Sequence, residues 1–304
     1  MLQTPLVTVI CLCYNQEEFV VKSLDSVLNQ LYPSVQLIVM DDCSTDNSKS
    51  VIKTWSQKHP DIQIIFNDTN LGNTKAFNKA LRFAKGEYII DLAADDILLP
   101  NCIMTQIDRF TKSPYKNLGV VYGNAAVILE DDTFDSYYFP VNDQKKVLQK
   151  RITGDIYSNV LSDFYSMCSV SAMIKKTVLT DLQGYDEKLA YEDLDFWIRA
   201  SRKYEFDFID EIIMQKRIVY NSLASNFKKK KDPQTKKLDY STYLILKKAI
   251  QLNKSKLEDL SVQKRVHNGI VQCLKNRNYW ILCKNLELRL LLTWRKWFKN
   301  YSSN

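Results

Sequence analysis

Histidine is nearly absent: only His59 and His267 occur in 304 residues. A multi-histidine metal centre is excluded, and any cation must be held by oxygen, which favours Mg2+ or Mn2+. Glycine is also scarce, at seven residues. No stretch resembles a G-x-G-x-x-G turn or a Walker loop, so ordinary dinucleotide and P-loop enzymes fall back as candidates. The seven cysteines are odd in number, scattered and without a C-x-x-C pair. With Cys11 and Cys13 inside an apolar run, they point to a reducing compartment rather than a disulfide scaffold. No uninterrupted apolar run approaches the roughly 18–20 residues needed to span a bilayer. The opening "MLQTPLVTVICLCYN" lacks the charged start and cleavage site of a signal peptide. These absences predict a chain that stays in the cytoplasm.

What is present is ordinary in total and uneven in distribution. A content of 45% hydrophobic and 25% charged residues suits a soluble globular protein. The length allows one large α/β domain with an appendage, or two domains. Residues 221–304 hold 19 Lys/Arg against 5 Asp/Glu, a net of +14, while residues 1–220 carry a net of −7. The two parts are expected to face different partners.

The run "LVTVICLC" (6–13) has the continuous apolar character of a strand buried on both faces. A helical pattern follows through 17–30, with Phe19, Val20, Leu24, Val27 and Leu28 on one side. "VQLIVMDD" (35–42) reads as a second buried strand, and "STDNSKSVIKTWSQ" as a helix opened by good N-caps. "IQIIF" (62–66), "NTKAFNKALRFAKG" and "EYIIDLA" continue the alternation as strand, helix and strand. Strands alternating with helices predict βαβ units and a mostly parallel, Rossmann-like sheet. Beyond residue 100, residues 118–129, 166–176 and 205–220 read as strands and 191–203 as an amphipathic helix. Residues 226–237 read as a linker or exposed loop and 238–299 as two or three helices. The expected division is 1–225, carrying the chemistry, and 226–304, a basic linker with a helical extension.

In open α/β sheets ligands bind beyond the carboxyl ends of the strands. Tyr14-Asn15, Asp41-Asp42 and Asp95-Asp96 fall at three such ends. Alone, each pair reads as a solvated turn, since Asp and Asn favour turns. Their convergence is the stronger signal.

At this point the chain resembles the family 2 glycosyltransferases of the GT-A fold, in order and over most of 5–225. "VTVICLCYNQEEFVVKSLDSVLNQLYP", "LIVMDDCSTDNS", "NLGNTKAFNKAL", "GEYIIDLAADDILLP" and "GYDEKLAYEDLDFWIRAS" match five of its segments. The last eighty residues lie outside the resemblance. It implies an inverting transfer of a sugar from a nucleotide diphosphate, most simply UDP, to a glycan or lipid-linked saccharide in surface polysaccharide synthesis. Asp41 would then accept from the base, with Asp42 and Asn15 nearby and Tyr14 against the ring. Lys75 and Asn78 are weaker nucleotide contacts. Asp95 becomes the ligand of Mn2+ or Mg2+, with Asp96 beside it. Asp193 becomes the base that takes the acceptor hydroxyl's proton, with Glu192 as its fallback. The alternative reading for Glu192 and Asp193 is a helix N-terminus attracting acids.

Two positions depart from the family. Its Asp-x-Asp falls on Ala93, Ala94 and Asp95, so the first acid is missing, and Asp91 is the nearest acid on the same face of the strand. Its Tyr-Arg-x-His falls on Lys216, Arg217, Ile218 and Val219, which keeps the Arg and loses the His. Arg217 and Lys216 are the residues left to meet the diphosphate. These losses keep a second class open, a degenerate relative that serves as a binding or scaffold subunit. A nucleotidyltransferase is less favoured, because "CLCYNQEEF" lacks a basic, glycine-rich signature.

In the tail, residues 228–231 are four lysines, and Trp294, Trp297 and Phe298 alternate with Arg295, Lys296 and Lys299. A basic helix with aromatic residues suits an anionic membrane surface, which would make the protein peripheral on the inner face of the cytoplasmic membrane. The alternative is a helix packed on the rest of the protein. Charge alone permits nucleic-acid binding, but no recognition motif accompanies it, and no nucleic acid is expected as a partner.

Overall fold

The computed structural model describes residues 4–163, 166–220, 227 and 232–298. The chain forms two compact units and passes between them several times. One unit holds residues up to 155 with 167–185 and 204–219, and the other holds 156–166, 186–203 and the residues from 220 onward.

In the first unit, β1 (Val7–Cys13), β2 (Val35–Asp41), β3 (Gln63–Phe66) and β4 (Tyr88–Ala93) pair in parallel in the order β3-β2-β1-β4. β1 lies between two neighbours and is buried along almost its whole length. A strand in that position has no solvent face, which is why its sequence is continuously apolar rather than alternating. α1 (Val20–Leu28) buries Val20, Leu24 and Val27; α2 (Ser48–Ser56) buries Ile52 and Trp55; α3 (Asn73–Leu81) buries Ala76, Phe77 and Ala80. Each set contains pairs three or four residues apart (Val20/Leu24/Val27, Ile52/Trp55, and Ala80 with both Ala76 and Phe77), as a one-sided helix requires. The Trp55 indole N–H donates to Asp25 at 2.7 Å, tying α2 to α1.

The rest of this sheet is mixed. It uses β5 (Ile97–Leu98), β6 (Leu118–Ile128), β7 (Phe134–Tyr137), β8 (Met173–Lys175) and β9 (Glu205–Arg217), with α4 (Cys102–Lys112) and α6 (Lys176–Asp181) between them. β8 runs antiparallel to both β4 and β6, β9 runs parallel to β6, and β5 runs antiparallel to β9. The apolar stretch 166–176 supplies only the short β8, preceded by a 3-10 turn at Ser169–Ser171. There the Ser171 hydroxyl is within bonding distance of the carbonyls of Cys168 and Gly123, and such local bonds compete with a strand ladder.

The second unit is helical: α5 (Tyr157–Ser162), α7 (Asp193–Ser201), α8 (Pro233–Leu252), α9 (Lys256–Asn276) and α10 (Tyr279–Phe298). Asp232 caps α8 by accepting from the Thr235 N–H at 3.0 Å, with Pro233 in the first turn. α9 opens on a reciprocal capping box between Ser255 and Glu258. Its core gathers Leu238, Leu246 and Ala249 of α8, Val262 and Val266 of α9, and Ile281, Leu288 and Leu292 of α10. Arg295 does not share the outward side of α10 with its aromatic neighbours. It is buried and donates to Asp259 at 2.6 Å. The four lysines at 228–231 and Lys299 lie outside the described residues. Among the described residues no helix is long and apolar enough to cross a membrane.

Candidate active site

The ends of β1, β2 and β4 lie at one edge of the parallel sheet. Cys13 pairs with Asp41, Leu12 pairs with Ala93, and the Ala94 N–H donates to the Leu12 carbonyl at 3.0 Å. Parallel pairing therefore brings Tyr14-Asn15, Asp41-Asp42 and Ala93–Asp96 together, although Tyr14 and Asp96 are 82 positions apart in the sequence. Tyr14 is 46% exposed at this edge.

Two loops at the edge are knitted together. Asn15 has a left-handed φ of 56°, a conformation that Asn tolerates better than most residues. Its Oδ1 accepts from the Thr45 N–H at 2.7 Å, and its own N–H donates to Ser44 Oγ at 2.9 Å. The Gln16 N–H donates to Ser48 Oγ, the Glu17 N–H to Asp46, and the Asn47 N–H to the Glu17 carboxylate. The cap-forming residues of "STDNS" thus serve mainly to join the two loops, although Asp46 also accepts from the Ser48 N–H at 2.9 Å. This network was missed in the sequence because the same residue types cap helices.

The two acids after β2 have different partners. Asp41 is fully buried and accepts from the Ser44 hydroxyl at 2.5 Å and the Ser44 N–H at 3.2 Å. Asp42 accepts from Asn67 Nδ2 and from the N–H groups of Leu71 and Gly72, all within 2.9 Å. Asp42 therefore holds the loop leading into α3. On α3, Lys75 is exposed and Asn78 is not free to turn. Its amide grips the backbone of Tyr185, donating to the carbonyl at 2.8 Å and accepting from the N–H at 2.9 Å. The Tyr185 ring stacks on Phe77 at 4.3 Å, and its hydroxyl donates to Asp91 at 2.9 Å. Asp91 is thereby engaged below the strand end, while Ala93 is exposed at the end itself.

Asp95 and Asp96 form the turn between β4 and β5. Asp96 is buried, and burial followed by the adjacent Asp95 charge pushes its carboxyl up to about 8. Burial also raises Asp95, against the lowering effect of Arg217 and Lys216. Arg217, expected to meet the diphosphate, is a buried strut instead. Its N–H donates to Asp96, and its guanidinium donates to the carbonyls of Asp95 and Leu129 at 3.1 and 2.8 Å. It also pairs with Asp132 at 2.6 Å and lies over the Phe19 ring. An arginine so placed fixes the carboxylate turn rather than a ligand. Lys216 remains half-buried, with its ammonium 5.4 Å above the Tyr138 ring.

Of the two carboxylates only Asp95 is partly exposed and open to a divalent cation, since Asp96 is buried and accepts from the Arg217 N–H. Two adjacent acids in a dry turn cannot both ionise without positive charge. Among the described residues no three acids, cysteines or histidines cluster as metal ligands. A cation at Asp95 would therefore complete its shell with diphosphate oxygens and water, as Mg2+ often does.

Glu192 and Asp193 belong to the helical unit. Glu192 is the N-cap of α7, and Asp193 is its first residue and exposed. The next acid, Asp195, is buried and serves the helix: it accepts from Arg199 at 2.7 Å and from Lys248 at 2.8 Å. Trp197 is 5% exposed and packs edge-on to Phe196, so it helps seat the helix.

Comparison with known proteins shows the family and the fold. The profile described as Glycosyl transferase family 2 matches residues 8–179. The chain is 32% identical over 232 residues, 75% of its length, to an uncharacterized glycosyltransferase of Methanocaldococcus jannaschii, 76% of which is covered. It is 33% identical over 135 residues, 44% of its length and 51% of the relative's, to Escherichia coli WfgD, named as a UDP-Glc:alpha-D-GlcNAc-diphosphoundecaprenol beta-1,3-glucosyltransferase. In fold it is similar to S. aureus TarS 1–349, solved in complex with UDP-GlcNAc. The TM-score is 0.64 at 14% identity, covering 98% of this chain and 93% of that one.

Proposed function

Because the chain belongs to glycosyl transferase family 2, we propose that it moves a sugar, with inversion, from UDP to a glycan or lipid-linked saccharide acceptor in surface polysaccharide synthesis. The observation that carries this reading is the meeting of Tyr14, Asp41 and the Asp95-Asp96 turn at one sheet edge. Tyr14 packs on the uracil ring; Asp41, buried on Ser44, shapes the turn beneath the base instead of accepting from it, and Asn15 and Asp42 hold the adjoining loops. Lys75 and Lys216 supply charge toward the diphosphate. Arg217 and Asp96 position the site from behind, and Asn78 serves the fold by holding Tyr185. Asp95 holds Mn2+ or Mg2+, which when bound offsets the charge that develops on the leaving nucleotide.

An acceptor hydroxyl is a poor nucleophile at neutral pH. Asp193 takes its proton as the oxygen attacks the anomeric carbon, and the bond to UDP breaks on the opposite face. Glu192 caps the helix that carries this carboxylate. Residues 1–225 hold the catalytic machinery and 226–304 form a basic helical extension. The donor of the E. coli relative and its diphosphoundecaprenol-linked acceptor support a UDP-sugar and a lipid-linked glycan here. We infer that the protein meets such an acceptor on the inner face of the cytoplasmic membrane.

Calorimetry of UDP with and without Mn2+ tests the nucleotide site. Binding strengthened by Mn2+ is expected, and no binding in either case overturns the enzyme reading in favour of a degenerate relative. Asp193→Asn is expected to lower transfer by on the order of 10²-fold or more with UDP affinity kept. Transfer at the wild-type rate would remove Asp193 as the base.

A further inference from the structure

Helix α10 has two apolar faces, and the fold uses only one. Ile281, Asn285, Leu288, Leu292 and Arg295 recur at intervals of three and four and are buried, as expected for the side packed on α8 and α9. On the opposite side, Cys283, Leu286, Leu290, Trp294 and Trp297 recur at the same spacing and are exposed. Leu290 is 70% exposed and Trp297 72%. At about 100° per residue the two sets lie half a turn apart. Leu291 and Phe298, both exposed, widen the outer stripe on one side. A soluble helix normally fills such positions with polar residues.

The border of the stripe selects its occupant. Arg289 and Lys296 lie along one border of it, both exposed, and neither has an ion-pair partner among the described residues. The Lys296 ammonium lies 5.8 Å from the Trp297 ring. Glu287, the one acid on the helix, lies on the same side as Trp294 and Phe298, where Lys284 pairs with it. A second copy of the chain meeting this face across a two-fold axis would bring its cations together. An anionic lipid surface would neutralise them, take the leucines below the headgroups and hold the tryptophans at the boundary.

We propose that α10 is an interfacial membrane helix, with the stripe from Cys283 to Trp297 seated in an anionic leaflet and Arg289 and Lys296 on lipid phosphates. This rests on the membrane location proposed above and names the face and the force: apolar insertion, with charge at its rim.

The test is flotation of the whole chain with phosphatidylcholine vesicles, with and without phosphatidylglycerol. An environment-sensitive fluorophore is placed on Cys283 in a Cys43→Ser background. The chain is expected to float with anionic vesicles, and the fluorophore to shift to the blue. Leu290→Ser with Trp294→Ser is expected to weaken partitioning at least about tenfold, with melting temperature and UDP affinity unchanged. The proposal is overturned if the double variant floats like wild type, or if the fluorophore stays in water while the protein floats. It is also overturned if the stripe proves to be a dimer contact that the double variant dissolves without changing flotation. A chain that binds UDP but does not float loses this helix and keeps the transferase reading; one that floats without binding UDP does the reverse.

Discussion

At the scale of single residues, chemical type was a poor guide to the work a side chain does. Asn78 and Arg217 sit in the right segments to touch a nucleotide, yet both are turned inward. Asn78 is fixed by two bonds to Tyr185, and Gly184 (φ 68°) lies so close that an added Cβ would come within 2.3 Å of the Asn78 amide oxygen. Asn78→Ala is therefore expected to cost about 2 kcal/mol of stability, read as a lower melting temperature, with UDP affinity unchanged. A fall in affinity at constant stability would return Asn78 to the nucleotide. Asp96 gives a pH signature. Its folded carboxyl keeps its proton to about 8, whereas in the unfolded chain it ionises near 4. The folded state then binds more protons over that window, so stability falls as pH rises through it. Asp96→Asn should melt above wild type at pH 8 and by a smaller margin at pH 5, and equal margins would show that Asp96 is ionised in the fold.

At the scale of elements, termini and strand ends carry the organisation. β1, β2 and β4 were legible from their apolar runs, because a strand buried on both faces has no other way to be written. The antiparallel insertion of β8 between β4 and β6 was not legible, since pairing partners distant in sequence leave no local period. In the helical unit the signals were local and strong. The Ser255–Glu258 capping box satisfies N–H groups at the start of α9. Ser255→Ala is expected to lower stability by about 1 kcal/mol, with UDP binding kept, as a thermal melt and calorimetry would show. α10 shows how a helix can mislead: Arg295 reads as one of its solvent-facing cations, but it turns inward to Asp259 while the tryptophans turn outward.

At the scale of the whole molecule, the sharp drop in acidic residues after 220 does not coincide with a single cut between compact units. The C-terminal helices share a unit with 156–166 and 186–203. Lys248 of α8 pairs with Asp195 of α7, and Ser241 Oγ accepts from the Ala190 N–H at 2.8 Å. Arg265 of α9 donates to the carbonyls of Val160 and Leu161 at the end of α5. The helix bearing the proposed base thus has its supports in the C-terminal segment. A chain ending at 225 is expected to lose transfer activity and to melt earlier or aggregate. A truncated chain with the full circular dichroism melt and full activity would show that α7 stands without those helices.

The sequence by itself determined the parallel core, the acidic strand ends and the charge division, because apolar periodicity and composition are local properties that need no partner to be read. Only the tertiary structure decided which polar groups remain available. Whether Asp42, Asn78, Arg217 or Arg295 faces a ligand or a backbone depends on what stands across from it. In each case the opposing group lies far along the chain, and a buried donor or acceptor takes the nearest partner that satisfies it.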